Sequence, residues 1–374
     1  MERVRVGVIG CGLVAQLMHL RYLRELDDRF EVVALCDASP GTVAAVADAY
    51  GVARRVTDWR ALLDTAPLDL VMVLTSTSHA EPAIAALERG AHVFVEKPMA
   101  VTVDEADRMA AAARSAGRSL TVGYMKRHDP VYRLAQDALA SLGDLRHVGL
   151  TTLESPIGAY IGHEPIRRVA DLPEAMLQAW AARRQRLVEE ALGGPVDETI
   201  VRAYHDTLLD SAIHELNLLR GLVGDPERVV LAEFWDGGRS MHTVLAYPGE
   251  LRATFSFVWL ADLPDYVQEL SFRAPAARLT IRFPSPFLRN APTPAYLERG
   301  AGGALHREEI VASYDEAFRR ELLHLHGTVT SGLAPLVSPE AARGDLALAG
   351  LIARAWTSGQ PQAVGPLDRP PAQG

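Results

Sequence analysis

Short predicted strands alternate with short predicted helices through the first 125 residues, and this alternation restricts the fold more than any other feature of the chain. Five apolar runs have the length of buried strands: residues 4–9, 31–36, 68–74, 92–95 and 119–123. The segments between them have apolar residues at helical spacing. This repeated strand–helix order predicts an α/β fold with a doubly wound parallel sheet, which binds ligands at the carboxyl ends of its strands.

A glycine-rich turn, Gly10-Cys11-Gly12-Leu13-Val14-Ala15, joins the first strand to the first helix. Gly10 permits a tight turn, Gly12 lets the backbone approach a pyrophosphate, and Ala15 allows close packing of helix on strand. The N–H groups of the first helical turn, which includes Leu13 and Val14, would face the phosphates at the positive end of the helix dipole. A glycine turn without a ligand is the alternative, but the position between strand and helix favours dinucleotide binding.

Asp37 ends the second predicted strand, 22 residues after Ala15. A carboxylate at this point can accept hydrogen bonds from both hydroxyls of an adenosine ribose. It would also repel a 2′-phosphate, and the next residues, Ala38-Ser39-Pro40, bring no cation, so the sequence predicts NAD rather than NADP. Arg54 and Arg55 could reverse this preference if they folded back onto the site, although a solvated loop is the simpler interpretation.

Glu96-Lys97-Pro98 follows the strand at 92–95, which places a charged pair beside the predicted cofactor site. Lys97 could donate a hydrogen bond to a substrate oxygen or lower the pKa of an alcohol. An ion pair between Glu96 and Lys97 on the rim of the sheet is the alternative, and the spacing alone favours neither interpretation.

Asp210-Ser211-Ala212-Ile213-His214 is a further candidate, because the apolar residues around it have helical periodicity. Asp210 and His214 are therefore predicted to lie one turn apart on one helix face. A carboxylate beside an imidazole raises the pKa of the imidazole and orients the ring as a general base. For this spacing, however, a surface ion pair is the more frequent arrangement. His205 and Asp206 could compete for the same role. A zinc site from His205, Asp210 and His214 lacks a persuasive spacing, so no metal is predicted.

The pattern changes after residue 124, where longer predicted strands replace the regular alternation. These strands are expected at 145–153, 229–235, 241–247, 251–259, 266–274 and 278–283. They indicate a large, mostly antiparallel sheet with one buried face, and its apolar content suggests that the other face packs against another subunit. Further helices are expected at 130–142, 314–331 and 339–358.

These patterns divide the chain into a dinucleotide-binding domain at 1–124, an α/β domain at 125–360 and a proline-rich tail at 361–374. A charged helix at about 171–193 is inserted in the second domain. This helix is either a solvated amphipathic helix or a lid over the substrate pocket.

The composition excludes several classes of function. The formal net charge is −9 and the pI is about 5.8, which argues against nucleic acid as the main partner. The two cysteines, Cys11 and Cys36, provide no disulfide framework and fit a reducing compartment. The N-terminus lacks a signal-peptide pattern, and no apolar run is long enough to cross a membrane, so a soluble cytoplasmic protein is expected.

Together, these motifs resemble the family of glucose–fructose oxidoreductase and inositol dehydrogenase, and the resemblance covers nearly the whole chain. Its most specific part is Glu96-Lys97-Pro98. The other matching stretches are Val8-Ile9-Gly10-Cys11-Gly12-Leu13-Val14-Ala15, Leu35-Cys36-Asp37, Thr75-Ser76-Thr77-Ser78-His79, Asp210-Ser211-Ala212-Ile213-His214 and Trp356-Thr357-Ser358-Gly359. The resemblance implies a Rossmann domain joined to an α/β domain with a large open sheet, which often mediates homodimers or homotetramers.

The resemblance also implies roles for particular residues. Lys97 would be catalytic and hydrogen-bond the reacting oxygen, His214 would be the general acid/base, and Asp210 would orient His214 or bind the substrate. Besides the glycine turn and Asp37, the residues expected to line the cofactor pocket are Thr75, Ser76, His79, Glu96 and Lys97.

The segment at 123–130 matches the crossover loop of this family, and its residues Lys126 and Arg127 would contact the substrate. It departs from the family pattern at Met125, where many members have asparagine, and at His128, where many have an aromatic residue. The stretch at 155–206 differs most among members, so no residue is carried over to it.

The activity that the resemblance implies is NAD-dependent transfer of a hydride between nicotinamide and a secondary alcohol or ketone of a small sugar, cyclitol or related polyol. Two alternatives remain at this point. NAD could be recycled during a redox-neutral elimination or hydrolysis of a sugar, or the chain could be a nucleotide-sensing regulator without catalysis.

Overall fold

The computed structural model describes residues 3–64, 67–76 and 78–368. The strands of the first sheet are β1 Val4–Ile9, β2 Phe30–Cys36, β3 Arg54–Val56, β4 Leu70–Val73, β5 His92–Glu96 and β6 Leu120–Gly123. All are parallel, in the order β3-β2-β1-β4-β5-β6. The helices in this part are a π-helical turn at Ala15–His19, α1 Leu20–Glu25, α2 Pro40–Tyr50, α3 Trp59–Leu63, α4 Ala80–Glu88 and α5 Val103–Ala116. The predicted doubly wound parallel sheet is therefore confirmed.

The central strands of this sheet are buried on both faces, which explains their continuous apolar sequences. All four residues of β4 are buried, and β1 is almost fully buried. The edge strand β3 is a difference from the prediction, since Arg54 and Arg55 were expected in a solvated loop. Arg55 instead pairs with β2 and donates from Nη1 to Oδ1 of Asp48, on α2, at 2.6 Å.

The second sheet has nine strands. They are β7 His147–Glu154, β8 Arg228–Trp235, β9 Ser240–Ala246, β10 Arg252–Trp259, β11 Val267–Arg273, β12 Ala277–Phe283, β13 Pro294–Ala301, β14 Ala304–Val311 and β15 Gln362–Ala363. The order is β14-β13-β12-β11-β7-β10-β9-β8-β15, in which β7 and β10 are parallel and the other neighbours are antiparallel. The predicted large, mostly antiparallel sheet is confirmed.

The hairpin of β13 and β14 is missing from the sequence prediction. Seven of the eight residues of β14 are exposed, and its centre carries the polar run His306-Arg307-Glu308-Glu309. An exposed edge strand has no buried face, so it shows no alternation of apolar and polar residues.

The remaining helices join the two parts of the chain. They are α6 Pro130–Leu139, α7 Gly158–Ile161, α8 Glu174–Leu192, α9 Glu198–Val201, α10 Ile213–Val223, α11 Ala317–Ser331 and α12 Pro339–Ser358, together with a π-helix at Arg202–Ala212 and 3₁₀-helices at Met125–His128 and Asp236–Gly238. Helix α12 packs against both α5 and β8, and α11 packs against α1. One hydrophobic core therefore continues from the first sheet into the second.

Helix α8 is the charged helix expected at about 171–193. Val188 is its one buried residue, while Arg183 and Arg184 bind Glu81 and Glu198 at 3.0 and 3.1 Å. Its function as a lid stays a prediction.

The outer face of the second sheet is polar at its centre, while Leu231 and Trp235 are exposed on β8. Its central strands present Thr151 and Ser256, and Glu269 on β11 pairs with Arg282 on β12 at 2.9 Å. A partner on this face would meet polar side chains at its centre and apolar ones on β8, and the homodimer or homotetramer stays a prediction. Every helix in the described ranges is too short or too polar to cross a membrane. Residues 369–374 of the predicted tail lie outside the described residues.

Candidate active site

The glycine turn after β1 has the geometry of a phosphate cradle. Gly10 has φ +100°, and a Cβ there would lie 2.7 Å from the backbone carbonyl of Leu74, so only glycine fits. At Gly12, by contrast, no described atom lies within 4 Å of the Cβ position. The helix begins directly after this open space, at Leu13 and Val14. The turn is therefore packed against Leu74 at Gly10 and open at Gly12, and this open space fits the pyrophosphate of a dinucleotide.

Asp37 lies beside this turn, at the carboxyl end of β2. Its Oδ2 accepts a hydrogen bond from the backbone N–H of Cys11 at 2.8 Å, and its Oδ1 accepts one from Ser39 N–H at 2.9 Å. Each carboxylate oxygen keeps a further lone pair. The chain therefore holds Asp37 in place while leaving acceptors for ribose hydroxyls.

The two glycines of the turn provide a matched pair of variants. Gly12→Val is expected to keep the melting temperature of the wild type but to weaken NAD binding by about 100-fold or more, because its side chain fills the space for the pyrophosphate. Gly10→Ala is expected to lower the free energy of unfolding by about 1–3 kcal/mol, since a Cβ is strained at positive φ. Thermal unfolding and isothermal calorimetry measure both. Wild-type NAD affinity in Gly12→Val would contradict the assignment.

The loop after β4 carries the predicted residues Thr75, Ser76 and His79. His79 is buried, with Nδ1 2.8 Å from the carbonyl oxygen of Pro98 and Nε2 2.7 Å from that of Thr75. Burial lowers the pKa of His79. The imidazole thus ties the loop after β4 to the loop after β5. Thr75 Oγ1 is buried without a partner among the described residues, Ser76 is exposed, and Thr77 lies outside them.

Lys97 follows β5 and pairs with Asp210 in the second part of the chain. Its Nζ lies 3.0 Å from Asp210 Oδ1 and also donates to the backbone carbonyl of Asp210. The Lys97 side chain is 14% exposed and that of Asp210 is 69% exposed, so the pair opens to solvent. Burial alone lowers the pKa of Lys97, but the carboxylates of Asp210 and Glu96 raise it above its ordinary value. Lys97 is therefore a charged hydrogen-bond donor.

The side chain of Glu96 binds His19 and not the side chain of Lys97, which was the alternative partner in the sequence analysis. Its Oε1 lies 2.6 Å from Nε2 of the buried His19, and its Oε2 accepts a hydrogen bond from the backbone N–H of Lys97. Burial raises the pKa of Glu96, but His19 and Lys97 lower it by more, so the net pKa is below the ordinary value. The rim ion pair between the Glu96 and Lys97 side chains is therefore replaced by a buried Glu96–His19 contact and the Lys97–Asp210 pair.

His214 stands in a different environment from the predicted one. Burial lowers its pKa well below the ordinary range, and the ammonium groups of Lys126 and Lys97 lower it further. The expected rise of the pKa through Asp210 is wrong, because Asp210 is bound to Lys97. The ring packs edge-on against Tyr124, with 6.0 Å between ring centroids. His214 is therefore a neutral imidazole next to two ammonium groups.

A π-helix explains why the predicted pair did not form. Residues Arg202–Ala212 are π-helical and Ile213–Val223 are α-helical, so the boundary falls between Asp210 and His214. The prediction that positions four apart share a face holds for an α-helix only. The wider turn allows Asp210 to face Lys97. His205 and Asp206, the predicted competitors, bind each other at 2.8 Å.

A polar cluster next to Lys97 was missed by the sequence analysis. Glu215 Oε1 accepts hydrogen bonds from Thr152 Oγ1 at 2.8 Å and from Gln268 Nε2, while its Oε2 is buried without a partner among the described residues. Gln268 Oε1 accepts from Lys126 Nζ at 2.5 Å and from Tyr266 Oη at 3.0 Å. Thr152 and Gln268 face each other on the buried face of the sheet, where polar residues at inward positions were the available sequence clue.

Glu154, at the end of β7, belongs to the same region. Burial and the carboxylate of Glu215 raise its pKa to about 7, against the opposing effect of Lys126. Because Asp210 also contributes to this rise, Glu154 lies within electrostatic range of the Lys97–Asp210 pair. A carboxyl group that titrates near neutral pH in a cleft is a candidate for contact with substrate.

The two residues predicted for the crossover loop have different positions. Lys126 is buried in the polar cluster, and burial lowers its pKa. Arg127 instead lies over the ring of Tyr132 and donates to the carbonyl oxygen of Asn217 at 3.1 Å. A Cβ on Gly221 would overlap its guanidinium. Lys126 thus reaches the cluster around Lys97, whereas Arg127 packs against α10.

The distribution of lysine supports this choice of site. The chain has 38 lysine and arginine residues, and its two lysines are Lys97 and Lys126. An ammonium is a compact point charge whose pKa responds to its surroundings, unlike a guanidinium. The two lysines lie within electrostatic range of each other, and their pKa values are shifted in opposite directions. Within the described ranges, no group of three histidine, cysteine, aspartate or glutamate residues could bind a metal ion.

Comparison with known proteins finds similarity to oxidoreductases. Residues 4–124 match an oxidoreductase family with an NAD-binding Rossmann fold. An inositol 2-dehydrogenase from Saccharopolyspora erythraea is 27% identical over 377 residues, which cover 98% of this chain and 97% of that protein. A 1,5-anhydro-D-fructose reductase from Ensifer adhaerens is 30% identical, over 59% of this chain and 57% of its own length.

A solved structure has the same fold over nearly the full length. It is a 3-ketoreductase from Actinomadura kijaniata in complex with NADP, with a TM-score of 0.70 and 22% identity. The alignment covers 96% of this chain and 98% of that one. The fold is therefore shared with a protein that holds NADP, and the choice of dinucleotide depends on local residues.

Proposed function

This chain belongs to the glucose–fructose oxidoreductase and inositol dehydrogenase family of oxidoreductases, and we propose that it oxidises a secondary alcohol of a sugar or cyclitol with NAD. The observation that carries the proposal is the charged Lys97, which stands at the carboxyl edge of the first sheet next to a neutral His214. These are the two properties that alcohol oxidation requires of protein groups: a donor for the developing alkoxide and a base for its proton.

The glycine turn and Asp37 would hold the dinucleotide. Its nicotinamide supplies the acceptor of the hydride during oxidation and the donor during reduction. The backbone at Gly12, Leu13 and Val14 faces the place for the pyrophosphate, and the carboxylate of Asp37 accepts the ribose hydroxyls. A carboxylate at this place supports NAD over NADP, because a 2′-phosphate would be repelled.

Lys97 and His214 would have different roles in the reaction. The ammonium of Lys97 donates a hydrogen bond to the substrate oxygen and stabilises its negative charge. The imidazole of His214 accepts the hydroxyl proton during oxidation and returns it during reduction. Asp210 fixes the Lys97 ammonium at 3.0 Å and has an exposed carboxylate that can bind a second hydroxyl of the substrate.

The polar cluster fits a substrate with several hydroxyl groups. Glu154 and Glu215 bring carboxylate acceptors within electrostatic range of Lys97 and Lys126. Each hydroxyl of a polyol can donate to such an acceptor. The relatives described above are named for inositol and for an anhydro sugar, which supports a cyclic polyol or sugar as the substrate class.

A spectrophotometric substrate panel tests this proposal. The purified protein is incubated with NAD or NADP and with inositols, aminosugars, nucleotide sugars and glycosides, and reduced nicotinamide is followed at its absorbance maximum. We expect reduction of NAD with one substrate class. If no compound is oxidised although NAD binds, the proposal is wrong, and release of an aglycone without net reduction would identify redox-neutral chemistry instead.

A further inference from the structure

One segment of the second part of the chain lies along the cofactor site of the first part. Residues 163–171, the strap, follow α7 and precede α8. Glu164 of the strap lies 3.4 Å from Nη1 of Arg21. The backbone of Arg167 makes two hydrogen bonds of 2.9 Å with Gln16: its N–H donates to Oε1, and its carbonyl accepts from Nε2. Since Gln16 Nε2 also donates to the carbonyl of Cys11 at 2.8 Å, the strap is fixed to the glycine turn.

The strap then continues to the first turn of α2. The backbone N–H of Val169 donates to Thr42 Oγ1 at 3.0 Å. Asp171 accepts a hydrogen bond on Oδ2 from the backbone N–H of Gly41 at 2.6 Å, and on Oδ1 from the hydroxyl of Ser39. A Cβ on Gly41 would come within 2.7 Å of Asp171 Oδ2, so glycine is what lets the carboxylate approach. The strap thus places a negative charge at the N-terminus of an 11-residue helix.

Asp171 and Asp37 bind the same residue from two sides. Ser39 donates from its backbone N–H to Asp37 at 2.9 Å and from its hydroxyl to Asp171. Asp37 is the residue that would bind the adenosine ribose. A 2′-phosphate on that ribose would therefore enter a space bordered by two carboxylates, and the two donors that could bind it are occupied by Asp171.

We propose that Asp171 is a specificity-determining residue that selects NAD over NADP by occupying the anion position at the start of α2. The inference rests on the proposed function, because it requires the glycine turn and Asp37 to hold a dinucleotide. Asp171 would add a second repelling carboxylate to that of Asp37. It lies 130 residues after Gly41, whose backbone N–H it binds.

Direct binding of both dinucleotides tests this inference without a substrate. Isothermal calorimetry gives the dissociation constants of NAD and NADP for the wild type, Asp171→Ala and Asp171→Asn. Asp171→Ala is expected to raise the ratio of NADP to NAD affinity by about tenfold or more, because it frees two donors and removes one charge. Asp171→Asn keeps the side-chain size and loses the charge, so a smaller rise is expected.

Glu164→Gln is the matched control, because it neutralises another carboxylate of the same strap away from Ser39. Its affinity ratio should equal that of the wild type. An unchanged ratio in Asp171→Ala overturns the inference, as does an equal rise in Glu164→Gln, which would indicate a general effect of charge. A wild-type protein that binds neither dinucleotide would contradict the proposed function itself, and this outcome is distinct from the other two.

Discussion

Replacing Lys97 by alanine is expected to lower kcat by about 10³-fold, because the alkoxide that develops during hydride transfer loses its charged donor. NAD binding should change by less than about threefold, since the glycine turn and Asp37 carry most of the contacts to the dinucleotide. The fold should also remain, because Asp210, the partner left without its cation, is 69% exposed and can be hydrated. Steady-state kinetics and calorimetry with NAD measure the two effects separately.

Lys97→Arg is the informative companion variant. It keeps the positive charge but replaces a compact ammonium by a planar guanidinium, so a large part of the loss in kcat should persist. Labelled lysine provides a check of the fold, since the chain has two lysines and therefore two side-chain resonances. The resonance of Lys126 should persist when that of Lys97 disappears. Turnover within tenfold of the wild type in Lys97→Ala would remove Lys97 from the catalytic machinery.

Local patterns were sufficient to predict the first sheet and its cofactor turn. The strands β1, β4 and β5 are buried on both faces, which leaves continuous apolar runs in the sequence. The glycine turn is read within six consecutive residues. Each of its two glycines is needed for a different physical reason. Gly10 has a positive φ, and Gly12 leaves open space next to the backbone. Such features depend on neighbours along the chain, so sequence reasoning can find them.

Contacts between distant segments were beyond that reasoning. The partner of Lys97 lies 113 residues further on, and the partner of Gly41 lies 130 residues further on. Glu215 directly follows His214 in the sequence, but its role depends on Thr152 and Gln268, which reach it from two strands. Asp210 pairs with Lys97 instead of His214, since residues Arg202–Ala212 form a π-helix. The sequence does not reveal this, because a change of helix type leaves the order of apolar residues unchanged.

The environment of His214 leads to the second large effect. Substitution of His214 by glutamine should lower the rates of both oxidation and reduction by about 10²–10⁴-fold, because the proton loses its carrier. NAD affinity and the melting temperature should stay close to those of the wild type, since His214 Nδ1 has no partner among the described residues. Stopped-flow measurement of hydride transfer in both directions tests this expectation.

The pH dependence of the wild type identifies the group that carries the proton. Burial, Lys126 and Lys97 lower the pKa of His214 well below its usual range, so the imidazole is already neutral at pH 6.5 and stays neutral at higher pH. Oxidation needs the neutral form and should not gain from His214 as the pH rises from 6.5 to 8.5. Reduction needs the protonated form, whose fraction falls about tenfold per pH unit above the pKa, so its rate should fall with that slope.

Glu154 must be separated from this effect, because its pKa of about 7 lies inside the same range. Glu154→Gln removes any contribution of this carboxyl group to the pH profile of the rate. The fall of the reduction rate with rising pH should remain in that variant. In His214→Gln the slope should disappear together with most of the rate. If the slope persisted in His214→Gln, the proton would come from Lys97 or from water, and His214 would be a neutral wall of the cleft against Tyr124 instead of the acid that completes the reaction.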